Sequence, residues 1–251
     1  MNGKRWLFVV SDIHGHYTQM KRALDEAGFD KDDPRHLLVC CGDLFDRGRE
    51  NREVYDYIRR LPNKVLVCGN HDERLAESLK QRRITPTDLS NGIETTLQSF
   101  FKTDIIGAYG ELQLPKHGKM AGNLRRFVAG MRNYFETERY VFVHGWLPLG
   151  MEDGMYVVRD DWRTADAAAW RKARFLQWTH LYDSHAKLDG KTIVCGHRHA
   201  RLAATIDPTR EADDSSIYYG DGFVAIDAGT VRSGRVNVLV LEETLLTGET
   251  V

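Results

Sequence analysis

Residues 36–48 read His-Leu-Leu-Val-Cys-Cys-Gly-Asp-Leu-Phe-Asp-Arg-Gly: an unbroken apolar run, a glycine, then acidic and basic side chains in quick succession. The run is too short for a helix, and an apolar stretch with no alternation is what a strand buried on both faces requires. The same pattern recurs at residues 6–10, 64–68, 140–143, 191–195, 223–226 and 235–241, rich in Val, Leu and Ile and mostly ending at Gly or Asp. Between the first three runs, residues 18–27 place Met20, Ala23, Leu24 and Ala27 at helical spacing and stop at Gly28. Residues 51–61 do the same with Val54, Tyr57, Ile58 and Leu61 before Pro62. Strand, helix, strand, helix, strand opens an α/β domain.

From residue 73 to 138 the pattern turns helical, broken at Ile84-Thr85-Pro86-Thr87 and Leu114-Pro115-Lys116-His117-Gly118. The expectation is one domain over residues 1–251 with a helical lobe inserted at about 73–138, partly covering the site. Residues 164–181 predict one further helix, Ala-rich, with Trp170, Ala173, Phe175 and Trp178 facing the core. Residues 206–222 predict a hairpin or surface loop.

With 251 residues and 42% hydrophobic content the chain can bury a full core without a partner. Its 35 Lys and Arg against 36 Asp and Glu give a net charge of −1, which excludes a general basic field for nucleic acid or anionic membrane. No apolar run approaches the ~20 residues of a membrane helix, and the first run is too short for a signal peptide, so a soluble cytoplasmic protein is expected. Cys40, Cys41, Cys68 and Cys195 lack paired spacings and are read as small buried thiols in a reducing compartment.

Five motifs stand at the ends of the predicted strands: Asp12-Ile13-His14-Gly15, Gly42-Asp43-Leu44-Phe45-Asp46-Arg47-Gly48, Gly69-Asn70-His71-Asp72, Val143-His144-Gly145 and Gly196-His197-Arg198-His199. Loops beyond strand C-termini are where α/β sheets bind ligands, so distant motifs converge. Asp, His and Asn without thiolate suit Mn, Fe or Zn. Two such ions about 3.5–4 Å apart clamp a phosphate and activate water, with Asp43 as the natural shared carboxylate. Taken singly, an Asp-x-His is as ordinary as a turn or helix cap; the order of five carries the reading. His16, His36, His117 and His185 stand outside these motifs and are read as solvated or capping.

In this order the motifs resemble the calcineurin-like metallophosphoesterases. Gly-Asp-x-x-Asp-Arg-Gly with Gly-Asn-His narrows the resemblance to the phosphoprotein phosphatase branch, whose bacterial and phage members include serine/threonine phosphatases and symmetrical dinucleoside tetraphosphate hydrolases. The resemblance implies a three-layer sandwich of two mixed sheets flanked by helices. It implies one metal on Asp12, His14 and Asp43 and a second on Asp43, Asn70, His144 and His197. It further implies His71 as general acid, Asp46 as its orienting carboxylate and Arg47 on the phosphate oxygens. Three departures stand out. Gly196-His197-Arg198-His199 has the two-His form of the wider superfamily, which makes His199 a candidate ligand. The family's His-Gly-Gly is here His144-Gly145-Trp146, which makes Trp146 a candidate for the pocket rim. His180 stands where many members carry a second phosphate-binding Arg.

The implied function is hydrolysis of phosphate monoesters, in a phosphoprotein or a small molecule, by attack of a metal-bound hydroxide, with two divalent ions, Mn²⁺ first and Fe or Zn as alternatives. A dinucleoside polyphosphate hydrolase or cyclic nucleotide phosphodiesterase is the alternative. That alternative requires base-stacking aromatics such as Phe100, Phe101, Tyr109, Tyr134 or Phe135. A non-catalytic metal-binding scaffold is the third reading, and it predicts loss of the Asp46–His71 pair, which is present. The expected partner is the phosphorylated substrate, with no membrane and no stable nucleic-acid binding.

Overall fold

The computed structural model describes residues 5–101, 105–115 and 119–244. Of the predicted turn at 114–118, residues 116–118, His117 among them, therefore lie outside the described residues. The elements run β1 (Arg5–Val10), α1 (Tyr17–Glu26), β2 (His36–Cys41), α2 (Asn51–Arg60), β3 (Lys64–Val67), α3 (Asn70–Gln81), α4 (Pro86–Ser90), α5 (Ile93–Phe101) and α6 (Met120–Ala129). There follow β4 (Phe135–Glu136), β5 (Tyr140–Phe142), β6 (Leu149–Glu152), β7 (Met155–Val158), α7 (Ala167–Ala173), β8 (Thr192–Cys195), β9 (Tyr218–Gly220), β10 (Phe223–Ala225), α8 (Thr230–Ser233) and β11 (Leu239–Glu243).

Two mixed sheets, ordered β11-β1-β2-β3 and β4-β5-β8-β10-β9, face each other, and β6 and β7 form a separate hairpin. The alternation of strand side chains sorts the core into layers. Leu7, Val9, Leu37 and Val39 point between the sheets and meet Phe142, Val194 and Val224. Phe8, Val10, Leu38 and Cys40 point outward under α1 and α2, against Met20, Leu24, Val54 and Ile58. On the far sheet Val141, Ile193 and Phe223 point outward against Trp146, Trp170 and Trp178. Helices thus cover both outer faces of the two-sheet sandwich, as the resemblance implies. Because the inner strands are buried on both sides, they read as continuous apolar runs.

Within residues 73–138, Ile84, Ile93, Leu97, Phe100 and Leu124 join the same apolar cluster as the outer face of β1 and β2. Residues 164–181 are not one helix. The helical span is Ala167–Ala173, and the Ala173 carbonyl is taken by the Trp146 N–H at 3.0 Å, so the chain leaves the helix where the next motif loop docks. The expected strand at 235–241 begins only at Leu239; just before it, the Asn237 side-chain amide donates to the carbonyls of Ser215 and Ile226. Residues 206–222 form a loop whose end, β9, pairs antiparallel with β10. The four cysteines are buried and free. Among the described residues no helix is long and apolar enough to cross a membrane.

Candidate metal centre and active site

Strands β1, β2 and β3 are parallel to one another, as are β5, β8 and β10. Each set delivers the C-terminal ends of its strands to one edge, and the two edges meet. Asp12 Oδ2 accepts the His197 N–H at 2.9 Å, and Gly196 N–H reaches the His144 carbonyl at 2.8 Å. The approach leaves no room for side chains at two glycines. A Cβ on Gly69 would strike the Asp43 carboxylate, and one on Gly196 would strike Ser11 Oγ and Asp12 Oδ2.

Asp43 is the centre. Its Oδ2 lies 3.7 Å from His14 Nε2 and 3.4 Å from His144 Nε2, so one carboxylate oxygen serves two donor groups, His14–Asp43–His71 and Asp43–His144–His197. Both flanking imidazoles are fixed from behind. The His14 Nδ1 contacts the Phe45 carbonyl at 2.9 Å and the His144 Nδ1 contacts the Cys41 carbonyl at 2.8 Å. A carbonyl only accepts, so Nδ1 carries the hydrogen and Nε2 is turned to the carboxylates, the arrangement that holds metal-binding imidazoles in one tautomer. Asn70 Oδ1 lies 2.9 Å from His144 Nε2, and Asp12 Oδ1 lies 4.0 Å from His14 Nε2.

The electrostatics call for cations. Burial opposes ionisation of Asp43, yet His144, His71 and His14 around it hold its carboxyl well below the usual range. Asp12, Asp72 and Asp227 are pushed up by burial first and by neighbouring carboxylates second, Asp72 to about 7. Burial lowers His14 and His197 to about 3, leaving both imidazoles neutral and their lone pairs available. His144 runs the other way: burial opposes its charge, but Asp43 raises it to about 10. Buried carboxylates in excess, neutral imidazoles and an Asn oxygen fit divalent Mn, Fe or Zn.

A chain of contacts leads from this centre to His71 and Arg47. His71 Nδ1 lies 2.8 Å from Asp46 Oδ2, and His71 Nε2 lies 3.2 Å from Arg47 Nη2 and 4.0 Å from Asp43 Oδ2. Burial works against the His71 charge, but Asp43 and the Asp46 hydrogen bond outweigh it and raise the imidazole. The other Asp46 oxygen, Oδ1, accepts from Thr96 Oγ1 of α5 at 2.7 Å, and Arg47 N–H donates to the Gly92 carbonyl.

Asp12, His14, Asp43, Arg47, Asn70, His71, His197 and His199 share one cavity of about 450 Å³. His144 and Asp46 are buried behind it. His199 lines the cavity but belongs to neither donor group. Burial, with Arg201, Arg198, Arg47 and Arg232 adding to it, keeps its imidazole below the ordinary value. Trp146 is not a rim residue: it is fully buried against Phe223 and donates Nε1–H to the Ala186 carbonyl. His180 is exposed and does not line the cavity, because the chain turns away after the buried Trp178; Gln177 lines it instead.

Phe175, expected in the core, is 45% exposed on the cavity wall with its ring edge-on to His197. Of the aromatics proposed for stacking, Phe100, Tyr134 and Phe135 pack against Tyr55, Trp170 and Phe142 respectively, and neither Phe101 nor Tyr109 lines the cavity. His16 closes its own turn through Nδ1 to the His14 carbonyl.

Two acids escaped the sequence reading. Asp227, on the cavity wall, follows β10 as the other motif acids follow their strands, and the run at 223–226 was signal enough. Asp72 accepts the N–H groups of Asp43, Leu44 and Gly69 at 2.9, 3.0 and 3.0 Å and so holds the Asp43 loop in place. Backbone donors far away in sequence left no trace of that role.

Residues 6–201 match the model of the Calcineurin-like phosphoesterase family. The chain belongs to that family. Among curated relatives of this calcineurin-like phosphoesterase, a symmetrical bis(5'-nucleosyl)-tetraphosphatase of Buchnera aphidicola (subsp. Acyrthosiphon pisum) is 38% identical over 27% of this chain and 24% of its own length. The asymmetrical bis(5'-nucleosyl)-tetraphosphatase PrpE of Bacillus velezensis is 35% identical over 35% of this chain and 38% of its own. The chain thus spans well under half of those relatives. In fold it is similar to a solved structure described as a diadenosine tetraphosphatase candidate, with TM-score 0.55 and 16% identity over 99% of this chain and 96% of that one. A cold-active protein-tyrosine phosphatase of a psychrophile Shewanella species gives TM-score 0.55 and 15% identity over 97% and 81%.

Proposed function

We propose that the protein is a dinuclear divalent-metal phosphoesterase whose substrates are nucleoside polyphosphates of the dinucleoside tetraphosphate type. The observation that carries the phosphoesterase reading is Asp43 Oδ2 set between His14 Nε2 and His144 Nε2, beside the Asp46–His71–Arg47 chain. Asp12, His14 and Asp43 would hold one ion and Asp43, Asn70, His144 and His197 the other, Mn²⁺ being the first choice. Two cations bound there would neutralise phosphoryl oxygens and lower the pKa of a water.

The chain's own groups supply the rest. Arg47 presents a planar fork to the oxygens that do not react. His71, whose imidazole Asp43 and Asp46 hold above its ordinary pKa, delivers the proton from Nε2 to the departing oxygen once Arg47 has turned from that nitrogen to the phosphate. The tetraphosphatase relatives and the exposed ring of Phe175, which can stack on a base, favour the nucleotide over a phosphoprotein.

The test is turnover by Mn²⁺-reloaded protein of diadenosine tetraphosphate, an aryl phosphate and a phosphoserine peptide, each repeated with His71→Asn. Preference for the dinucleotide supports the proposal, and preference for the peptide replaces it with a protein phosphatase. Turnover of all three that His71→Asn leaves untouched removes the proposed acid.

A further inference from the structure

Beside the catalytic cavity lies a second one of about 620 Å³, which shares His199 and Gly229 with the first and is walled by Arg201, Arg232 and Arg235. Arg201 Nε is buried and meets no hydrogen-bond partner among the described residues. A guanidinium N–H removed from water without an acceptor costs free energy, and an oxyanion bound by the fork removes that cost. Arg235 is exposed and makes no side-chain ion pair among the described residues.

The acids on the same wall, Glu211, Asp213 and Asp214, form no ion pair with Arg201 or Arg235 among the described residues. Asp214 is engaged by Arg210 Nε at 3.2 Å and by the Ser216 N–H at 2.9 Å, and Glu211 is exposed. The Arg232–Asp213 contact of 3.3 Å joins side chains that are 62% and 87% exposed, a pair weak enough for a phosphate to displace. His199, at the junction of the two cavities, stands among Arg47, Arg198, Arg201 and Arg232.

We infer that this second cavity is an anion subsite that receives phosphates further along the chain from the one cleaved, so that Arg201 and Arg235 select substrates carrying a phosphate chain over simple monoesters. A polyphosphate is a continuous chain, so adjoining cavities suit successive parts of one substrate. The inference rests on the phosphoesterase reading above.

Its test uses the protein in Mn²⁺-saturated buffer, wild type against Arg201→Gln/Arg235→Gln, with two readouts. Calorimetry with inorganic tripolyphosphate is expected to show binding weakened about tenfold or more, as loss of charge-assisted hydrogen bonds implies. The ratio of kcat/KM for diadenosine tetraphosphate to that for p-nitrophenyl phosphate is expected to fall by a similar factor, through KM. Arg235→Gln alone, at an exposed position, gives roughly a threefold loss in both and serves if the double variant does not fold. Tripolyphosphate affinity within twofold of wild type, or an unchanged ratio, overturns the inference. Should the wild type turn over neither ester, the catalytic reading falls and the calorimetry alone decides the subsite.

Discussion

Thr96 Oγ1 donates to Asp46 Oδ1 at 2.7 Å and accepts the Asp46 N–H at 2.9 Å, although the two residues are 50 apart in sequence. A residue of α5 therefore fixes the carboxylate that in turn fixes His71. Thr96→Val removes both contacts with little change of volume. The expected result is a fall in kcat of about tenfold or more for esters with poor leaving groups, which need the acid. The effect on an activated aryl phosphate is smaller, and Thr96→Ser, which keeps the hydroxyl, restores the wild-type rate on both. An equal loss on both ester types would mean that Thr96 merely stabilises the fold.

Removing the Asp46 charge should move the alkaline limb of the pH profile. His71 is raised by Asp43 and Asp46 against the effect of burial, so the protonated acid is present below the raised pKa and lost as pH climbs through it. Asp46→Asn lowers that pKa, and the alkaline limb of kcat/KM shifts to lower pH. A limb that stays in place assigns it to another group.

Loading with metal should release protons. His144 is raised to about 10 by Asp43 and is charged at pH 8 in the metal-free protein, but a ligating imidazole must be neutral. Titration of metal-free protein with Mn²⁺ in buffers of different ionisation enthalpy is expected to report net proton release, the His144 proton among those lost. Saturation at ~100 times Kd adds about 2.7 kcal/mol of stability, reversed by chelator. Asp43→Asn should abolish both effects.

Far from the centre, Glu136 accepts from Arg163 at 2.8 and 2.6 Å and pairs with Lys191 at 2.8 Å, tying β4 to β8. The Arg163 hydrogen bonds foremost hold its carboxyl below the ordinary value, against the effect of burial. Its contribution is therefore complete above about pH 4.5, the ordinary carboxyl value, and is lost as pH falls through the lower folded value. Glu136→Gln is expected to cost about 1–2 kcal/mol at pH 7 and to make the acid side of a urea-denaturation series shallower. An identical slope in both proteins would refute the assignment.

The sandwich was legible because its inner strands are buried on both faces, and burial writes an apolar run into the sequence. Residues 149–158 escaped because their side chains are largely exposed, although Asp153-Gly154, both at positive φ, is a strong hairpin turn. Each motif residue expected to bind metal or act on phosphate lines the cavity or is buried behind it, since a strand end fixes the position of the residues just beyond it. Trp146, His180 and Phe175 did not follow expectation: their placement depends on how the segment after α7 docks on the Gly145 loop, a contact between residues distant in sequence that no local pattern records.

Six of the eight non-glycine residues with positive φ among the described residues are Asp12, His14, Asp43, Asp46, Arg47 and His197. Left-handed backbone disfavours side chains of this kind, so glycine at any of the six would relax the chain locally. A laboratory search for heat-tolerant variants would be drawn to these positions, and every success there would remove a group the proposed mechanism uses. Robustness in this protein has to be sought elsewhere, in the tryptophan-lined face and the exposed hairpin, where improvement and activity do not compete.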